Sequence, residues 1–315
     1  ERAAGRRITD QLAYRDGDTR QRTAEFVRRY HAETSIGGGR GFLNQVGPPN
    51  VLLVNQGGGK FAPALEGKSL NVWKNTLQAT WADYDEDGDP DLYLANDWAP
   101  DHLFRNDGQG GFVEVTNEIG VNSYGFGMGA SFGDYDGDGR QDLYVTNMFS
   151  KAGRRILSQF EGIGADYLKS AEGNVLYRHG EGGKFSRVSG LEPPALLVAE
   201  AGWSWGGQFA DFDNDGDLDI YTMSGYFTGE EDPEIDMRLH KGDELVDGKL
   251  VVHSLSGKER NHLFLNEGAG RTFTDLSALS GMDSVSDSRC FALFDYDHDG
   301  WQDVAMVNAN QPLMQ

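Results

Sequence analysis

A single cysteine, Cys290, stands in 315 residues, so no internal disulfide can staple this chain. Its neighbours Ser288, Arg289, Phe291, Ala292, Leu293 and Phe294 read as a strand, which predicts a buried, inert thiol. No apolar run approaches the roughly 18 residues of a membrane-spanning helix, so membrane insertion is not expected. Asn-x-Ser/Thr sequons are absent and there is no signal-peptide pattern. The chain opens at Glu1 without a methionine, and the expectation is that a targeting segment was removed or lies outside this sequence. Basic residues are scarce: 28 Lys and Arg face 50 Asp and Glu, a formal charge of -22. Such a field argues against nucleic acid or an anionic membrane as partner.

The acids are not scattered. Asp83, Asp85, Asp87 and Asp91 stand at positions one, three, five and nine of a loop with Gly88 at six. The arrangement returns as Asp134, Asp136, Asp138, Gly139 and Asp142, as Asp211, Asp213, Asp215, Gly216 and Asp219, and as Asp295, Asp297, Asp299, Gly300 and Asp303. A hard cation of calcium's size takes about six to eight oxygens at roughly 2.3 to 2.6 Å, and four carboxylates supply most of them. The carbonyl at position seven (Asp89, Arg140, Asp217, Trp301) is expected to add another, whatever its side chain, and glycine at six permits a sharp bend. Without a cation the acids repel, by about 4 kcal/mol per close pair at a protein-surface dielectric. One such turn could be a solvated surface loop; four with one spacing predict four Ca²⁺ sites. These are not EF-hands, because position twelve holds Leu94, Val145, Thr222 and Met306 in place of a bidentate Glu. Four bound calcium ions would bring the net charge to -14.

Hairpin units alternate with the loops: Asn50 to Asn55 followed by Gly57 to Phe61, then Asp101 to Asn106 with Gly110 to Phe112, Asn174 to His179 with Gly182 to Phe185, and Asn261 to Asn266 with Gly268 to Phe273. Apolar residues, a glycine turn and an aromatic are what such a hairpin requires. Each loop is preceded by a segment rich in small residues, such as Gly127 to Gly133 or Ser204 to Ala210, and followed by a strand such as Leu92 to Asn96 or Leu143 to Asn147. The unit therefore reads strand 1, loop, strand 2, connection, strand 3, turn, strand 4. The fold class is all-β, and four antiparallel strands per repeat predict a β-propeller blade, about four of them recognisable here. Glycine and alanine in strand 1 suit a crowded central axis. Gly125-Phe-Gly127-Met-Gly129 precedes a strand, so it is not a phosphate-binding loop, which must open a helix.

Residues 1–48 form a separate amino-terminal extension: residues 1–30 carry a charge of +3, and Ile8, Leu12, Phe26, Val27 and Tyr30 predict one or two short helices. Residues 49–315 form the propeller. Loop starts are 51, 77 and 84 residues apart, and the extra length forms inserts at 148–173 and 225–260, between strands 2 and 3. The insert at 148–173 has helical spacing around Arg154 to Leu168, while Lys249 to Ser254 in the insert at 225–260 predict an added strand.

Phe132-Gly-Asp-Tyr-Asp-Gly-Asp-Gly139 and Leu143-Tyr-Val-Thr-Asn147 resemble the FG-GAP repeat of integrin α-subunit propellers. In wording they are closer still to the VCBS-type repeats of bacterial cartilage-acidic-protein-like proteins with an UnbV/ASPIC region. The likeness covers residues 50 to 308. It implies a secreted seven-bladed propeller with calcium loops on its lower face and ligands on its upper face, although only about four blades are recognisable and no UnbV-like tail follows.

The expected function is a calcium-stabilised extracellular or periplasmic binding or adhesion module without catalysis, engaging a protein or glycan. A polysaccharide-active enzyme built on a propeller and a structural subunit of an extracellular assembly are the alternatives. No nucleophile, base and orienter can be named, and His31, His240 and His253 are scattered, so no catalytic residue is assigned. The insert face is the expected recognition face, with Trp98, Tyr124, Trp203 and Arg154 or Arg155 as candidates for sugar stacking or for pairing with acidic groups. The plainer role for each aromatic is packing between blades. The first repeat has strands 3 and 4 only and the last has strands 1 and 2 only. The expectation is that the halves combine, within one chain or by self-association between chains, unless both are cut from a longer protein.

Overall fold

The computed structural model describes residues 47, 49–64, 70, 72–150, 170–226, 244–246, 249–251 and 257–309. The expected amino-terminal helices, and the helix expected around Arg154 and Arg155, lie outside these residues. Strands β1 (Leu53–Gly57) and β2 (Lys60–Pro63) form the first hairpin. The first large sheet follows from β3 (Asn75–Ala82), β4 (Asp91–Pro100), β5 (His102–Asn106) and β6 (Phe112–Glu114), succeeded by the single turn α1 (Thr116–Ile119). A fifth strand, β7 (Tyr124–Phe126), joins it by pairing with β4. The middle sheet orders β8 (Gly129–Gly133), β9 (Asp142–Thr146), β10 (Val175–Gly180) and β11 (Lys184–Arg187).

The third sheet begins with β12 (Ser204–Ala210) and β13 (Asp219–Ser224). A small insert hairpin, β14 (Glu244–Val246) with β15 (Lys249–Val251), comes before its outer strands β16 (His262–Glu267) and β17 (Thr272–Asp275). The added strand expected at Lys249 is β15. After a single turn, α2 (Ser277–Ser280), the strands β18 (Ser288–Phe294) and β19 (Asp303–Asn308) pair, among the described residues, only with each other.

Every pairing in these sheets is antiparallel, in the strand 1 to strand 4 order that the repeat predicts. The added β7 falls where the repeat predicts only connection. It exists because β4 runs four residues past Asn96, through a bulge at Trp98, whose φ is 58°.

Strand 2 of each complete sheet is buried on both faces, and its alternation divides the side chains between two cores. Leu143 and Val145 of β9 pack with Tyr93, Leu103 and Val115 of the first sheet. Tyr144 between them turns the other way, to Ile220 and Phe264 of the third. Tyr221 and Met223 of β13 in turn meet Phe291, Val304 and Met306 of the last hairpin. The sheets are thus stacked face to face in series, with β3 beside β8, β8 beside β12 and β12 beside β18.

Hydrogen bonds join the sheets: between first strands, Gln78 Oε1 accepts from Ala130 N at 3.0 Å and Gln78 Nε2 donates to Ala130 O at 3.2 Å. From the end of β9, Thr146 Oγ1 donates to the Trp205 carbonyl of β12 at 2.7 Å. Small residues in strand 1 permit this approach. A Cβ on Gly129 would lie 2.6 Å from the Trp205 carbonyl oxygen, and one on Gly207 would lie 2.6 Å from Thr146 Cγ2.

Another repeated device holds strand 3 to the end of strand 2. Asp101, Asn174 and Asn261 each accept, at 2.7 to 2.8 Å, the backbone N–H of Asn96, Asn147 and Ser224. Each also bonds the strand 2 tyrosine hydroxyl (Tyr93, Tyr144, Tyr221).

At the two ends of the stack the covering runs out among the described residues. Leu77 and Trp81 of β3 are exposed, as are Phe294 and Val307 of the last hairpin. Cys290, expected to be buried, is exposed for this reason: alternate residues of β18 face the third sheet, and Cys290 belongs to the uncovered set.

The close approach of first strands predicts that Gly129→Ala, which drives a methyl group into a backbone carbonyl, costs about 1–3 kcal/mol. Denaturant unfolding should show a lower midpoint at an unchanged slope.

Candidate metal centres

All four aspartate loops fold alike. The carboxylate at position one accepts two backbone N–H bonds, from positions five and six: Asp83 from Asp87 and Gly88 (3.1 and 3.0 Å) and Asp134 from Asp138 and Gly139 (3.0 and 2.8 Å). Asp211 does the same with Asp215 and Gly216 (3.1 and 3.0 Å), and Asp295 with Asp299 and Gly300 (3.1 and 3.0 Å). The bend that brings those N–H groups round needs φ of 88° to 96° at Gly88, Gly139, Gly216 and Gly300, where a Cβ is strained. Position four also has positive φ (Glu86, Gly137, Asn214, His298), a requirement the varied residue types there conceal.

Position nine ties the loop to the sheet. Asp91, Asp142 and Asp219 are buried at the start of strand 2. One oxygen of each accepts the N–H of position two (Tyr84, 3.2 Å; Tyr135, 3.2 Å; Phe212, 2.8 Å). The other accepts an N–H from the end of strand 3 (Asn106, 2.8 Å; His179, 2.7 Å; Asn266, 2.8 Å). Asp303 accepts from Tyr296 at 2.6 Å.

In three loops, one oxygen from each of positions one, three and nine falls within 4.8 Å of the others: Asp83, Asp85 and Asp91; Asp134, Asp136 and Asp142; Asp211, Asp213 and Asp219. In the fourth the group is Asp295, Asp297 and Asp299. The position-five acids Asp87, Asp138, Asp215 and Asp299 accept the N–H of position seven at 2.9 to 3.0 Å. At position seven, the Asp217 side chain accepts the N–H of Ala269 at 2.7 Å, and the Arg140 guanidinium binds the Asp138 carboxylate and the His179 carbonyl. Asp89 and Trp301 are placed there by their N–H bonds to Asp87 and Asp299.

These groups fit a calcium ion. The donors are all hard carboxylate oxygens. Asp85 Oδ1 and Asp136 Oδ1 are buried with no hydrogen-bond partner, which is costly for a charged oxygen unless a cation faces it. Burial raises the pKa of Asp91 to about 6, of Asp142 to about 7 and of Asp219 to about 6, and neighbouring loop carboxylates add to each shift. Asp85, Asp136 and Asp213 are raised too, by burial first and then by the position-five carboxylate. A bound divalent ion reverses both causes, because it replaces lost hydration and offsets the repulsion.

At the opposite end of the sheets, the structure brings two of the expected recognition residues together. The half-buried Trp98 meets Phe126 edge-on at 4.4 Å between ring centroids, and Phe126 lies 5.9 Å from Trp203. Trp203 stacks on Tyr226 at 4.5 Å, Tyr226 stacks on Trp205 at 5.8 Å, and the Arg289 guanidinium covers Trp205 at 4.3 Å. Sequence reasoning misses Tyr226, Trp205 and Arg289: Trp205 is two residues from the expected Trp203, and the repeat pattern does not show that Tyr226, just past the end of strand 2, and Arg289, on the next repeat, face it. Tyr124 sits on β7 opposite Pro100, while Arg154 and Arg155 lie outside the described residues. Beside this run a cavity of about 370 Å³ is lined by Gln78, Met128, Trp205, Arg289 and Phe291 among others.

Comparison with known proteins follows the loops. The FG-GAP-like repeat family matches residues 83–145 and 164–222, which contain the first three loops, so the chain carries FG-GAP-like repeats. Cartilage acidic protein 1 of Mus musculus is 30% identical over 133 residues, which is 42% of this chain and 17% of that protein. The Xenopus tropicalis protein of that name is 29% identical over 132 residues, again 42% and 17%. The aligned stretch therefore spans about a sixth of these relatives. A solved structure described as the basis of specific recognition of non-reducing terminal N-acetylglucosamine by an Agrocybe aegerita lectin aligns at 16% identity, covering 84% of this chain and 69% of its own. Its TM-score of 0.34 is too low to carry an argument about architecture or ligand.

The raised carboxyl pKa values set a pH dependence. In chelator, Asp91, Asp142 and Asp219 hold protons more tightly folded than unfolded. They therefore stabilise the folded chain fully below the unfolded value near 4, and that contribution is lost as pH rises through about 6 to 7. Melting temperature in chelator should thus gain from these groups between pH 7.5 and 5. Calcium affinity should fall over the same interval as protons compete, and adding calcium at pH 6 in weak buffer should release protons.

Proposed function

We propose that this chain is a run of blades of a calcium-stabilised β-propeller, serving as a non-catalytic binding or adhesion module outside the cytoplasm. The observation that carries the reading is the fourfold loop, whose carboxylate oxygens converge within 4.8 Å in every copy and leave Asp85 Oδ1 and Asp136 Oδ1 buried without a hydrogen-bond partner. Sheets stacked in series with their first strands adjacent support propeller geometry. FG-GAP-like repeats, together with likeness to proteins named for cartilage, a tissue of extracellular matrix, support an extracellular or periplasmic setting. Among the described residues no helix is long and apolar enough to cross a membrane. Loops of this kind, with affinities of roughly 10⁻⁴ to 10⁻³ M in extracellular modules, fill where calcium is plentiful.

The partner is a protein or a glycan, met at the end of the sheets opposite the loops. The run of rings from Trp98 through Trp203 to Trp205 supports that choice, because half-buried aromatics with a stacked guanidinium suit sugar faces and acidic groups. Self-association has its own support. In three sheets the position-nine carboxylate and the end of strand 2 each bond strand 3, and Asn50 and Asn55 occupy the matching positions of the first hairpin. The edge of β19 ends beside Asn308 Nδ2, which is buried and without a partner. A hairpin of the Asn50 to Pro63 type fits that edge.

Calorimetric titration of the chelator-stripped chain with calcium tests the function. Four equivalents are expected, with Asp213→Asn removing one. Each site filled at a hundred times its Kd should add about 2.7 kcal/mol of stability. A chain that takes up no calcium, or melts alike in calcium and in chelator, overturns the reading.

A further inference from the structure

The four loops do not carry equal charge. Within its nine residues the first holds six acids, the third five and the fourth four, none with a Lys or Arg inside the loop. The second holds four acids and Arg140.

Strand 3 widens the difference. Its last residue before the N–H that bonds position nine is Arg105 for the first loop, Arg178 for the second and Leu265 for the third; the bonds from Asn106, His179 and Asn266 fix this equivalence. Arg178 Nε lies 2.5 Å from Asp136 Oδ2, and its Nη2 lies 3.7 Å from Asp138 Oδ2. Arg140 binds the same Asp138 oxygen and is held there by the His179 carbonyl at 3.1 Å. Two guanidinium groups thus sit on two of the four acids of this loop. Arg105 eases the ionisation of Asp85, but its hydrogen bond goes to Tyr84. The third loop has an aliphatic side chain in that place.

We propose that Arg178 and Arg140 are built-in counter-ions of the second loop, so that it takes calcium only after the first and third loops are loaded. The proposal rests on the reading of the loops as calcium sites. Its physical basis is that loop affinity follows the net charge of the ligand shell, and that a fixed cation a few ångströms from the ion opposes binding. The second loop then responds to calcium over a higher range than its neighbours. It lies in the middle sheet of the stack, packed between the other two.

Terbium, a calcium surrogate that emits when a nearby tyrosine is excited, resolves the loops individually. Tyr135 stands at position two of the second loop and Tyr84 at position two of the first, while the third has Phe212 there. Tyr135→Phe and Tyr84→Phe therefore each delete one loop's signal without touching a ligand, and subtraction from the parent titration isolates it. In the chelator-stripped full chain, the second loop's midpoint should lie about tenfold or more above the first's. Arg178→Leu, which copies the third loop, should bring it within about threefold, and Arg140→Gln should move it in the same direction. Coincident midpoints in the parent chain, or no shift with either variant, would overturn the proposal while leaving the calcium reading intact. No terbium signal from either loop would instead overturn the calcium reading on which it rests.

Discussion

The buried carboxylate at position nine is the constraint on which the rest of the structure depends. Asp91, Asp142 and Asp219 begin strand 2, close the loop through the N–H of position two and secure strand 3 through a further N–H. Each also faces the carboxylates of positions one and three. One side chain therefore joins the carboxylate cluster to sheet assembly. A carboxylate so placed is expensive when charged and unaccompanied, which burial and its neighbours express as raised pKa values. The geometry of the loop and the integrity of the sheet are then held by the same side chain.

From that anchor the stacking follows. Strand 2 leaves the loop with Leu92-Tyr-Leu, Leu143-Tyr-Val or Ile220-Tyr-Thr, and alternate side chains enter cores on opposite faces. The tyrosine in each triplet commits its hydroxyl to the Asp or Asn that opens strand 3. A polar tip buried between two sheets is thereby satisfied, and the corner between strands 2 and 3 is set. Glycine at Gly129 and Gly207 lets successive sheets come close enough for the Gln78 bonds between first strands and for the Thr146 bond from the end of β9 to β12. The aspartate loops and the aromatic run are kept at opposite ends of the same strands, the aspartates where strand 2 begins and the rings where it ends.

Much of this is legible in the chain. The loops, the hairpins, the strand order and the small residues of strand 1 all come from local repetition, and a pattern that recurs at fixed spacing needs no knowledge of distant contacts. The limit shows at particular residues. Cys290 reads as a core thiol by its neighbours, yet whether a strand face is covered depends on what packs against it, and nothing among the described residues covers that face of β18. Trp98 reads as a loop residue by its place in the repeat; in the fold it forms the bulge through which β4 continues to pair with β7. Position four accepts Glu, Gly, Asn or His, so composition hides the left-handed backbone all four share.

Residue type and spacing by themselves determined where carboxylates gather, because calcium-type loops and hairpins are closed by bonds a few residues apart. Tertiary structure alone decided which oxygens converge, at positions one, three and nine in three loops, and that Arg178 falls on the second loop, beside its own Arg140, while an aliphatic residue takes that place at the third. It also decided that Trp98, Phe126, Trp203, Tyr226 and Trp205 form one run. Arg178 is 42 residues from Asp136, and Trp98 is more than a hundred from Trp203. Separation along the chain carries no charge or distance; only the pairing of strand 3 with strand 2, and of sheet with sheet, converts it into a field at a carboxylate cluster or a surface of stacked rings.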